Sequence, residues 1–351
     1  MNKQWMRGAL IALLANSAMA AGAAPQGGLD VRISMPQQVM SGDVDVPVEV
    51  SITNVTRHPI RVLRWQLPSE DDEGALFRIT HEDGTRAPYG GAIVKRARPE
   101  ASDFVRIEAG QTLRYTVELT TSYDLSRNGR YTVEYLGRDA HGASATLATA
   151  QAQYLWLDSR SAKASSAMPA AAVRGAPGVA AKSLAYTSCK ASQQSQIATA
   201  VNNATAYAAN ASGYLRAGTQ GARYTTWFGA YNSGRYSTVA SHFSAIASAF
   251  NNADLVVDCS CRKKGTYAYV YANQPYKIYV CGAFWSAPAT GTDSKAGTLV
   301  HEMSHFTVVA GTDDNAYGQS AAKALAISDP LQAVDNEDSH EYFAENTPAQ
   351  N

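Results

Sequence analysis

The sequence predicts two unlike halves. An all-β, sandwich-like unit spans residues 21–158, and an α+β unit, mainly helical with a small sheet, spans 185–351. Three observations carry this. Apolar and polar residues alternate through the first half, an Ala-, Ser-, Gly- and Pro-rich stretch follows, and helical spacing then takes over with all four cysteines. A chain of 351 residues is long enough for two domains, and 45% hydrophobic residues is ordinary for a globular protein. The formal net charge is zero, with no basic stripe, so neither nucleic acid nor a membrane surface is indicated as a partner.

Residues 1–20 are expected to be a signal peptide. Lys3 and Arg7 precede a short apolar run, Ala9–Ala15, and Ala18-Met19-Ala20 offers small residues for cleavage. No later segment has about 18 continuous apolar residues, so the mature chain is expected to be soluble and secreted. In the first half, 46–55, 61–67, 112–120 and 130–136 alternate with β-branched enrichment, separated by turns such as Glu82-Asp83-Gly84 and Arg127-Asn128-Gly129. Such short strands suggest a sandwich. Residues 159–184 have little to bury and read as an exposed linker.

Beyond the linker, 193–215 and 237–250 have helical spacing. Gly265–Trp285 reads as two strands joined near Asn273-Gln274-Pro275, and helices return after Ser294. In an exported chain the four cysteines read as disulfides. Cys259 and Cys261 are too close to pair comfortably with each other, which leaves two schemes. Cys189–Cys259 with Cys261–Cys281 is preferred.

The chemistry sits at 297–318, GTLVHEMSHFTVVAGTDDNAYG. His301 and His305, four apart, share one face of a helix and can reach one metal. Glu302 can then act as general base towards the water that a zinc ion activates. Leu299, Val300, Met303 and Phe306 supply an apolar side for burial, and Gly297-Thr298 offers a helix start. Two histidines need a third ligand. Gly311 can turn the chain so that Asp313 or Asp314 returns to them, and Glu337 is a second source.

H-E-x-x-H followed by G-T-x-D-x-x-Y-G closely resembles the aspzincin, or deuterolysin-family, zinc metallopeptidases. The match falls on His301, Glu302, His305, Gly311, Thr312, Asp314, Tyr317 and Gly318. The resemblance implies a zincin-like metalloprotease domain with one catalytic Zn²⁺, Asp314 as third ligand, and Tyr317 donating to the developing oxyanion. It is closer still to the peptidyl-Lys metalloendopeptidases, from about Ala185 to Gln350, through RYTTWFG (223–229), TYAYVY (266–271), CGAFW (281–285) and HEYFAEN (340–346). It supports the preferred pairing of Cys189, Cys259, Cys261 and Cys281. For the first half it implies only a propeptide, an inhibitor or chaperone of the rest. An enzyme of this kind could release itself at Ala181-Lys182, with Lys163 also in the linker.

From Val300 onward there are nine acidic residues and one basic residue, Lys323, which favours a cationic substrate. The resemblance places Asp338 in the pocket for the residue after the scissile bond, so cleavage on the N-terminal side of lysine in protein or peptide substrates is implied. By itself Asp338 with Glu341 also reads as a helix capping box. A strand edge at Tyr267–Tyr271 or Tyr276–Val280 can pair with an extended peptide. The alternatives are a deuterolysin-like enzyme without strict lysine preference, or a secreted β-sandwich binding protein carrying an inactive protease half.

Overall fold

The computed structural model describes residues 28–68, 74–137, 147–149, 151–161 and 183–351. The expected signal peptide, Lys163 and the Ala181–Lys182 bond lie outside the described residues.

The first half is built from strands β1 (Leu29–Ser34), β2 (Val39–Ser41), β3 (Pro47–Asn54), β4 (Ile60–Leu63), β5 (Phe77–His81), β6 (Ala92–Arg96), β7 (Phe104–Ile107), β8 (Thr112–Glu118), β9 (Gly129–Gly137), β10 (Leu147–Ala148) and β11 (Gln153–Asp158). One sheet has the order β1-β3-β8. A second runs β10-β9-β11-β2, with β5 also on β9. Period-two alternation drops Val48, Val50 and Ile52 from β3, and Tyr131, Val133 and Tyr135 from β9, into one shared hydrophobic cluster. The stretch 61–67 is not one strand. It stops at Leu63, and Arg64–Gln66 makes a 3₁₀ turn because the buried Gln66 side chain folds back to accept the Leu63 N–H at 3.0 Å.

The second half contains β12 (Leu184–Thr187), α1 (Ala191–Arg216), α2 (Ala222–Phe228), α3 (Ser233–Asn252), β13 (Leu255–Asp258), β14 (Thr266–Tyr271), β15 (Lys277–Val280), α4 (Gly282–Ser286), α5 (Lys295–His305), α6 (Gly318–Ser328), α7 (Pro330–Val334) and α8 (Glu337–Glu345). Disulfides join Cys189 to Cys259 and Cys261 to Cys281, at the ends of β12, β13 and β15. Among the described residues, no helix is long and apolar enough to cross a membrane.

The two halves are not separate in the sheet. Its order is β12-β13-β15-β14-β6, so a strand of the first half completes the sheet of the second. β6 runs antiparallel to β14, pairing Ala268 with Lys95, Tyr269 with Val94 and Val270 with Ile93. Below the sheet, α5 and α8 are buried along their whole lengths, as expected for helices at the centre of a core.

α8 also carries a buried imidazole. His340 donates from Nδ1 to the Asn336 carbonyl at 2.8 Å, and its Nε2 lies 3.0 Å from His242 Nδ1. Burial, and next the neighbouring His242, hold His340 down at about 3. The unfolded chain takes this proton near pH 6.5, whereas the folded chain refuses it until about pH 3. Stability is therefore complete above pH 6.5 and falls as the solution is acidified, by up to about 1.4 kcal/mol per pH unit. Urea titrations at pH 7 and 4.5 are expected to show a smaller loss of stability on acidification in His340→Gln than in the parent.

Candidate active site

Helix α5 starts at Ser294 rather than at Gly297-Thr298. The Ser294 Oγ accepts the Gly297 N–H at 2.9 Å, and Glu345 of α8 accepts from both the N–H and the hydroxyl of Ser294, at 2.9 and 2.8 Å. A carboxylate at a helix N-terminus is favourably placed. α5 and α8 are pressed so close at Gly297 that a Cβ there would lie 2.0 Å from Glu345 Oε1 and 2.9 Å from Glu341 Oε1. That contact decides where His301 sits.

Each histidine is oriented through Nδ1. His301 Nδ1 donates to Asp338 Oδ1 at 2.9 Å, and His305 Nδ1 donates to the Thr312 carbonyl at 2.8 Å. Both Nε2 atoms then point the other way and find no hydrogen-bond partner. Gly311, at φ 64°, reverses the chain after the helix. The loop beyond it is pinned by the fully buried Asn336, whose side-chain oxygen accepts from the N–H groups of Asn315 and Ala316 at 3.0 and 2.6 Å. Asp314 Oδ1 arrives 3.4 Å from His305 Nε2 and 3.8 Å from His301 Nε2.

This donor set fits a metal. The three atoms lie within 4.8 Å of one another, and a tetrahedral zinc with bonds of about 2.0–2.1 Å sets its donors roughly 3.3 Å apart. Burial, and then the Lys95 charge, lower the His301 pKa, which keeps it neutral and able to ligate. His305 goes the other way. Burial is outweighed by the nearness and charge of Asp314, and the group rises to about 9. Both oxygens of Glu302 are buried without a hydrogen-bond partner, and burial raises this carboxyl to about 7. Glu337 does not join the ligand atoms. It stands behind Asp314, and burial, followed by the Asp314 charge, pushes it well above the usual carboxylate range. Asp313 points away, its N–H bonded to the Asp335 carbonyl and its carboxylate 3.8 Å from Arg86.

Tyr317 is buried at the start of α6. Its hydroxyl bonds to Asp314, and its ring packs against Leu63, with Trp65 and Phe104 beside it. The first half thus covers this side of the site.

Asp338 is not a helix cap. α8 is preceded by Asn336, and Asp338 lies inside the helix. Its Oδ1 is shared between His301 Nδ1 and Lys95 Nζ, at 2.9 and 3.2 Å, and its Oδ2 accepts the Gly318 N–H at 2.5 Å. Glu341 Oε2 is 2.5 Å from the same ammonium and 3.2 Å from His301 Nδ1. Burial opposes ionisation of Asp338, but Lys95 and His301 prevail and hold it well below the usual carboxylate range; burial pushes Glu341 up to about 8 against the Lys95 charge. Glu341 was legible in sequence only as a partner in a cap. Its one signal was the i,i+3 spacing from Asp338, which puts both carboxylates on one face.

The profile of the lysine-specific metallo-endopeptidase family, the aspzincins, matches residues 214–345. An extracellular protease of Aeromonas hydrophila is 42% identical over 338 residues, 92% of this chain and 94% of that protein. The peptidyl-Lys metalloendopeptidase of Grifola frondosa is 38% identical, over 98% of this chain and 100% of its own length. That of Pleurotus ostreatus is 52% identical over 166 residues, 47% of this chain and 98% of its own. The chain belongs to the aspzincin family and is a metalloendopeptidase, acting on peptide or protein substrates.

The double duty of Asp338 separates it from Glu341. Asp338→Asn is expected to lower metal affinity about 10–100-fold, because His301 loses the carboxylate that orients it. Glu341→Gln is expected to keep the metal, measured by elemental analysis after dialysis.

Proposed function

We propose that the chain is the precursor of a secreted zinc endopeptidase that hydrolyses the bond on the N-terminal side of lysine. The observation that carries this reading is the buried ammonium held by Asp338 and Glu341, one carboxylate oxygen away from His301. A compact acidic pocket of this kind selects a lysine side chain. Any neutral residue would leave the ionised Asp338 buried without its ammonium counter-charge and Glu341 without its partner. Lysine fits a point-charge site better than the planar, forked arginine.

In this reading His301, His305 and Asp314 hold one Zn²⁺. The ion supplies Lewis acidity and lowers the pKa of a water towards neutrality. Glu302, buried and already raised to about 7, takes the proton from the attacking water and passes it to the leaving nitrogen. Tyr317 donates its hydroxyl to the oxyanion, a charge present only in the transition state. Asp338 holds His301 through Nδ1 and faces the lysine ammonium with the same oxygen.

Residues 1–20 act as the signal peptide and 21–158 as a propeptide domain. Residues 159–184 carry the processing site, and 185–351 are the mature enzyme. Relatives that align over the whole chain, and one of 166 aligned residues that spans about half of it, support this division.

The test is a digest of a denatured protein mixture by the mature enzyme, with and without chelator, every cut mapped by mass spectrometry. Cuts before lysine that chelator abolishes are expected. Chelator-sensitive cuts without lysine preference would discard the pocket reading, and no cuts from a zinc-loaded, folded enzyme would discard the catalytic one. Glu302→Gln is expected to retain zinc and lose about 10²–10⁴-fold in kcat. Tyr317→Phe should lose about 10²–10³-fold in kcat with KM little changed.

A further inference from the structure

The edge of β14 and the acidic pocket below it form a surface for an extended, lysine-bearing peptide, and the chain supplies such a peptide itself. β6 adds to the edge antiparallel, through main-chain pairing from Ala92 to Arg96. Its Lys95 is only 2% exposed, with Nζ 2.5 Å from Glu341 and 3.2 Å from Asp338, below the Tyr267 ring at 5.5 Å. Lysine is among the residues least often buried. A strand that merely joined two halves would be expected to bury an apolar residue here. Ile93, two residues earlier and on the same strand face, borders the cleft beside His305. It also lines, with Arg96, the space next to Asp314 and Tyr317. Ile93 and Arg96 thus border the same spaces as His305 and Asp314 of the candidate metal site.

We propose that Ala92–Arg96 is a built-in substrate mimic, with Lys95 in the pocket for the substrate's lysine and the Val94–Lys95 peptide where the scissile bond lies, so that the first half is a lysine-keyed competitive inhibitor of the second. The proposal rests on the lysine-pocket reading above and adds to it the identity of the occupant and its register. Other strand-adding segments would block the edge alone, whereas this one also sets an ammonium against Asp338 and Glu341.

Two experiments test it. In the full chain, with Lys163→Gln and Lys182→Gln to retard processing, Lys95→Ala is compared with its parent on a quenched lysine-containing peptide. The parent is expected to be latent. The variant, shown to be folded by its melting curve and intact by mass, should be at least ~10-fold more active. A folded variant as latent as its parent overturns the proposal. Should Lys95→Ala fail to fold, a synthetic peptide of residues 90–99 decides with the mature enzyme. It should raise KM without changing kcat, and the same peptide with Lys95→Gln should be at least ~10-fold weaker. Where the peptide is consumed, water's hydroxyl must end on the Val94 carbonyl carbon and its hydrogen on the Lys95 nitrogen. Cleavage elsewhere, or equal inhibition by both peptides, overturns the proposal. The digest separates the two readings. If the mature enzyme cuts without regard to lysine, the pocket reading fails and takes the mimic with it. If it cuts before lysine while Lys95→Ala stays latent, the mimic fails alone.

Discussion

The site depends on two helices being pressed together closely enough for a carboxylate on one to grip an imidazole on the other. α5 brings His301, Glu302 and His305; α8 brings Asp338, Glu341 and Glu345. Gly297 leaves room for the Glu345 and Glu341 carboxylates against α5, and Glu345 ties the start of α5 to the end of α8 through Ser294. So many buried carboxylates would be costly in an apolar core. Here Asp338 and Glu341 are gathered around one imidazole and one ammonium, and Glu345 is satisfied by the first turn of α5. The candidate metal ligands and the carboxylates around Lys95 are thus one electrostatic unit, joined at Asp338.

Much of this was legible in the sequence, and for definite reasons. H-E-x-x-H fixes its own geometry, because residues four apart on a helix must share a face. Gly311 signalled the reversal that returns Asp314, and the observed φ is one that glycine adopts freely. The long helices at 191–216 and 233–252 and the strands at 47–54 and 129–137 follow from periodicity over many residues. The family resemblance placed Asp314 ahead of Asp313 and Glu337, which local chemistry could not do.

What stayed hidden was tertiary. Nothing local says that Gln66 will turn back on Leu63 and cut a strand short, or that Ser294 rather than Gly297 opens α5. Asp338 and Glu341 three apart before a helix look like a cap. Only the fold shows that Asn336 precedes the helix and that both carboxylates face inward. Lys95 was the least visible of all. Ala92–Arg96 is short, and its partner β14 lies about half the chain away in sequence, so a pattern search had no window that contained both.

The shared sheet has a consequence for the enzyme's solubility. Proteins usually protect a strand edge with a charge, a proline or a bulge, because an open ladder of backbone groups recruits any extended chain that drifts past. An edge kept for substrates cannot be protected along its whole length without losing its use. In the proposed mode of substrate binding β14, rich in tyrosine and stacked through Tyr269 on Tyr279, is such an edge from Ala268 to Tyr271, beyond the register shift that follows Thr266. While β6 lies along it the ladder is closed. If the proposed processing removes that strand, each molecule would carry an adhesive margin, and colloidal stability and storage life would then be properties of the ladder that β6 now covers.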